Sequence, residues 1–72
     1  MSVARVTELS AVSEQSFEDA INQAVNRATQ TLRNVERAWV KDMNVLIENG
    51  NIQGYKVNLA ITFVLEEGEQ PA

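Results

Sequence analysis

The 72-residue chain has no cysteine and no histidine, one proline, one tryptophan, one tyrosine and only three glycines. Without cysteine there is neither a disulfide staple nor a thiolate nucleophile. Without histidine the usual general base and a principal soft-metal ligand are missing as well. The three scattered glycines cannot form a phosphate-cradling loop. Six basic residues face ten acidic ones, for a net charge of -4, so there is no concentrated positive footprint for a nucleic-acid backbone. No run of eighteen apolar residues exists, and Met1 to Val6 lacks the apolar stretch of a signal peptide. The expected protein is therefore cytoplasmic, with no membrane and no nucleic acid among its partners.

Little catalytic chemistry is left. Ser2, Ser10, Ser13 and Ser16 have no evident base partner and sit in strand-end or capping contexts, where hydroxyls bond to backbone. Glu18-Asp19 and Glu66-Glu67 are paired carboxylates only in sequence, since adjacent side chains point apart on a helix or a strand. The chain is not expected to be an enzyme.

What is present is pattern. From Tyr55 to Leu65 an apolar side chain stands at every odd position, the signature of a strand buried on one face. Upstream, Phe17, Ala20, Ile21, Ala24, Val25, Ala28 and Leu32 recur at three-and-four spacing and predict an amphipathic helix of about five turns. Acids fall in its first turn and Arg33 in its last, as the helix dipole favours, with Ser13 or Ser16 as N-cap. Val3 to Ser10 reads as an edge strand. Val35 to Ile47 is rich in strand formers and runs into Asn49-Gly50, a tight-hairpin signal because both residues tolerate positive φ.

The order strand, helix, strand, strand predicts an α+β domain, β-α-β-β, with a three-stranded antiparallel sheet closed over one helix. It spans residues 1–67, with a solvated tail at 68–72. In the second strand, Ala38 and Val40 are small enough to lie beneath the helix, which sends Arg37, Trp39, Lys41 and Met43 to the opposite face. One helix covers one face, so the other is expected to be a subunit interface or a ligand wall. A core this small gains roughly 3 to 5 kcal/mol and has no disulfide to add to it, which points to self-association.

Arg5-Val6-Thr7-Glu8-Leu9, Ser16-Phe17-Glu18-Asp19-Ala20, Thr31-Leu32-Arg33-Asn34-Val35 and the run from Tyr55 to Glu66 together resemble the dodecins, from about residue 3 to 67. The resemblance implies a sheet wrapped around its helix, and twelve subunits assembled as trimers into a hollow shell. It also implies a storage or sequestering role for flavin (riboflavin, FMN or FAD), stacked on tryptophan and bonded by glutamine between trimers near two-fold axes. By that resemblance the stacking tryptophan falls on Arg37 and the glutamine on Lys56, both departures. An acidic residue lining the region is kept as Asp42, and the family's Gly-Thr-Ser before the helix is Ala11-Val12-Ser13. Trp39 lies one pleat repeat from Arg37 on the same face, so the expected ligand contacts are Arg37, Trp39, Asp42 and Lys56. The alternative is a dodecin-like assembly that holds another anionic nucleotide such as coenzyme A, or ions, or nothing.

Overall fold

The computed structural model describes residues 3–65. The tail expected at 68–72 and the Glu66-Glu67 pair lie outside them. Four elements follow one another: β1 (Ala4–Ser13), α1 (Phe17–Thr31), β2 (Val35–Glu48) and β3 (Asn51–Val64). The strands form one antiparallel sheet in the order β1-β3-β2, so the alternating segment read from the sequence is the central strand and β1 is an edge, as expected.

Two serines fix the start of α1. Ser16 is the N-cap, its Oγ accepting from the Asp19 backbone N–H at 2.9 Å. Ser13 is buried; its Oγ accepts from the Gln15 N–H at 2.9 Å and donates to Asp19 Oδ2 at 2.6 Å. One free amide of the first turn, that of Asp19, and that of Gln15 just before the helix are thereby satisfied, and Glu18 and Asp19 lie at the positive end of the helix dipole. The helix stops earlier than its apolar stripe predicts. Leu32 is an extended C-cap and the last turn holds no basic residue, so Arg33 lies beyond the helix rather than in it. The chain must reverse here into β2, and Asn34 takes the left-handed conformation (φ 62°) that asparagine tolerates better than most residues.

The core is a match of two repeats. Ala20, Ala24 and Ala28 line one side of the helix and Val57, Leu59 and Ile61 one side of β3, all buried. Four residues of helix rise about 6 Å and two of strand about 6.6 Å, so the two rows run nearly in step. Phe17 meets Tyr55 edge-on, centroids 5.1 Å apart, at the start of the helix. Phe63 and Leu32 border one cleft at its end, so α1 runs in the direction of β3. Leu9, Ala11, Ile21, Val35 and Val40 pack around this centre. The helix lies chiefly over β1 and β3 and little over β2, so Ala38, opposite Ile61, faces the helix side but stays exposed.

β2 and β3 join through a two-residue turn, Asn49 (φ 54°) and Gly50 (φ 78°), with Glu48 opposite Asn51, the geometry the Asn-Gly pair demands. Each strand has 14 residues, about 47 Å, against about 22 Å for the 15-residue helix. The hairpin end therefore projects past the helix and past β1 with Leu46, Ile47 and Ile52 exposed. The radius of gyration is 15.3 Å, where a compact chain of this length would show about 11 Å. The accessible surface is 5349 Å², against about 4,400 Å² expected for a compact monomer of this mass.

Ile61→Ala removes a fully buried side chain from the centre of the helix–sheet contact. It is expected to destabilise the protein by about 3 kcal/mol, read as a lower urea midpoint at fixed protein concentration.

Candidate ligand-binding face

The face of the sheet turned away from the helix is built in rows across the three strands. Residues paired across antiparallel strands share a face, so the pairing places four rows there: Val6–Thr62–Arg37, Glu8–Ala60–Trp39, Ser10–Asn58–Asp42 and Val12–Lys56–Asn44. Arg37, Trp39, Asp42 and Lys56 thus all lie on this back face. Arg37, Trp39 and Asp42 occupy successive rows, about 6 to 7 Å apart. Lys56 is six residues along β3 from Thr62, which puts its row about 20 Å from that of Arg37, too far for the two cations to share one small anion within a chain.

Strict alternation along β2 fails in the middle of this face. The ladder shifts register between Val40 and Asp42, which leaves Lys41 as an inserted, bulged residue and reverses which residues face the back. Asp42 joins the row of Asn58. Met43 falls opposite Val57, on the helix side, so its expected place beside Trp39 is corrected. A second shift between Val35 and Arg37 leaves Glu36 unpaired in the same way.

The bulge gives Lys41 a task. Its Nζ donates to Glu8 Oε2 at 2.8 Å, and because Glu8 sits on β1 the side chain must cross the whole of β3, about 9.5 Å between the outer strands. Ala60, opposite Glu8, is only 5% exposed although it faces away from the helix. Trp39, opposite Ala60, is 66% exposed. Beyond the bridge, Asn58 Nδ2 donates to Asp42 Oδ1 at 2.5 Å, which fixes the acid's orientation. Arg37 makes no hydrogen bond or ion pair among the described residues. The four rows carry two cations, Arg37 and Lys56, and two acids, Glu8 and Asp42, with the bulged Lys41 beside them, so in a chain of net charge -4 this face is not dominated by acid.

This face is a wall rather than a pocket. Two clefts among the described residues, about 330 and 380 Å³, lie at the C-terminal end of α1 and between α1 and β1, and neither is lined by Arg37, Trp39, Asp42 or Lys56. No group of three His, Cys, Asp or Glu side chains able to hold a metal ion occurs among the described residues. No described helix is long and apolar enough to cross a membrane.

A helix on one side of a β1-β3-β2 sheet, with a long β2–β3 hairpin, is a recognisable arrangement, and the family model of the dodecins matches residues 3–66. The chain belongs to the dodecin family. It is 37% identical to the dodecin of Thermus thermophilus over 65 residues, covering 90% of this chain and 94% of that protein. The dodecin of Streptomyces coelicolor superposes with a TM-score of 0.86 at 36% identity, over 92% of this chain and 94% of that one. A calcium dodecin of Mycobacterium tuberculosis, a calcium-chelating antigen with its own calcium-binding site, superposes with a TM-score of 0.78 at 27% identity, over 97% and 99% of the two chains. Dodecins are small binding proteins rather than enzymes.

Because Trp39 contributes nothing to the helix–sheet core, Trp39→Ala is expected to leave the secondary structure intact, with an unchanged far-ultraviolet circular dichroism spectrum.

Proposed function

We propose that the protein is a flavin-holding storage shell of the dodecin kind, in which a flavin, preferentially a phosphorylated one, is held against the Trp39 wall between subunits. The observation that carries this reading is the position of Trp39. It is the chain's only tryptophan, it stands largely exposed on a β face, and its neighbour one pleat away is a guanidinium without a described partner. An exposed indole offers a flat apolar surface for a planar heteroaromatic ring, and Arg37 adds a planar cation that can stack or pair with a phosphate.

The residues fit a flavin, though not in the family's usual positions. Trp39 would take the ring. Asp42 and Asn58, already oriented by their mutual bond, would offer polar contacts at its edge. Arg37 would favour an anionic tail, while Lys56, two rows beyond Trp39 on the other side from Arg37, is better placed for a ligand reaching further along the sheet. A bound flavin would supply a redox-active, light-sensitive ring; with no general base or thiol in the chain, the protein's part is to bind and shield it. Because one chain offers a wall and no pocket, the second wall belongs to another copy. The exposed hairpin arm, the excess surface and the small core support association of copies; that the assembly is a cytoplasmic dodecameric shell is proposed from family membership.

The cation-holding alternative has less behind it, since the two carboxylates of the paired rows are engaged by Lys41 and Asn58. Titration of riboflavin, FMN and FAD at micromolar protein is expected to quench flavin fluorescence, most strongly with FMN or FAD, and Trp39→Ala is expected to abolish the quenching. Light scattering should give a mass many times that of one chain. Absence of quenching by all three flavins, or a dilute monomer that stays folded, would overturn the reading.

A further inference from the structure

We infer that Glu8 is an internal competitor for the anionic group of a ligand at Lys41, so that the ion pair across the back of the sheet selects phosphorylated ligands; this rests on the reading of the Trp39 wall as a binding surface.

The argument starts from the bulge. A regular β2 would run directly from Val40 to Asp42; the inserted residue is a lysine, and its ammonium is carried across β3 to the far edge strand. The two partners are not equally held. The Lys41 side chain is 36% exposed and that of Glu8 66%. The cation's stem, which crosses β3 to reach Glu8, is the better covered of the two, while the carboxylate stands mostly in water. An exposed ion pair contributes little to stability and exchanges readily. The element that stays fixed is therefore the positive charge, and the one that can swing away is the acid.

The position of that charge matters. Glu8, Ala60 and Trp39 form one row, so Lys41 ends over the floor next to the exposed indole, within reach of a phosphate or pyrophosphate attached to a ring stacked there. In the free protein the Glu8 carboxylate occupies the position such a group would take. A phosphate carries more charge and more acceptor oxygens than a carboxylate and displaces it. A neutral ligand such as riboflavin gains nothing from the exchange. Arg37 lies on the other side of Trp39 and is not neutralised by any described acid, so it attracts anions without a competitor and cannot by itself produce a Glu8-dependent selectivity.

The test uses three variants of the full chain, Glu8→Gln, Lys41→Gln and the double variant, with two probes. With flavins, Glu8→Gln is expected to tighten FMN binding by about two- to fivefold, the range an exposed ion pair carries, and to leave riboflavin unchanged. Lys41→Gln weakens FMN relative to riboflavin, and the double variant matches Lys41→Gln. With inorganic pyrophosphate, followed by the emission of Trp39, the response is expected to be stronger in Glu8→Gln and lost in Lys41→Gln. Equal shifts for FMN and riboflavin, or a pyrophosphate response indifferent to Lys41, overturn the inference even if flavin binds. A Lys41-dependent pyrophosphate response without flavin binding upholds the anion site and removes the flavin.

Discussion

The contact between three helix alanines and three branched residues of β3 is the one on which the rest of the molecule depends. Ala20, Ala24 and Ala28 seat the helix on Val57, Leu59 and Ile61, and small side chains let the two elements approach closely. The same economy limits what the contact can do. A 15-residue helix set over β1 and β3 leaves most of β2, the hairpin arm and the whole back of the sheet without cover. Such a core gives only a few kcal/mol, and the uncovered surface is large for the chain's mass. The physical pressure toward association therefore arises from the same feature that defines the fold.

The second determinant is the inserted residue at position 41. A β-bulge changes which face each following side chain meets, and here it does so in the middle of the functional surface. Upstream, Arg37 faces the back because the ladder shifts at Glu36, and Trp39 follows it by alternation. Downstream, Asp42 faces it only because Lys41 has been inserted, and Met43 is turned to the other side. One extra residue thus assembles an aromatic, a cation and an acid in adjacent rows, and its own side chain spans the sheet.

These two features differ in how far the sequence exposed them. The strand at 55–65, the helix from Phe17 and the Asn49-Gly50 turn were legible because each is a local pattern with a local cause: alternation, three-and-four spacing, and tolerance of positive φ. The alternation of 55–65 showed burial on one face, while its central place in the sheet came only from the strand pairing. The end of the helix was less visible, since Leu32 continues the apolar stripe into an extended conformation while Asn34 makes the reversal. The bulge had no such signal. Val40-Lys41-Asp42-Met43 alternates well enough to pass as regular strand, and only the pairing with Leu59, Asn58 and Val57 reveals the extra residue. Glu8 was missed for a related reason: its role depends on Lys41 crossing β3 to reach the far edge strand, a contact 33 residues apart in sequence.

On the proposed reading, the residues of the wall make physical sense together. A guanidinium at Arg37 offers no ring to stack on, and the nearby Trp39 provides one on the same face. Arg37 and Lys56 also add positive charge to that face. A wall with one indole and several cations suits a single ring carrying a negative tail better than two neutral rings lying against each other, because like tails brought together would repel while a tail and a cation attract. On the proposed reading, a ligand lodged between two such walls touches both subunits, so its affinity and the stability of the assembly are linked and each strengthens the other. The acid set against Lys41 then has a purpose in the empty shell as well. It offsets the cation on a face that must meet its own copy, and it can be given up when an anionic ligand arrives.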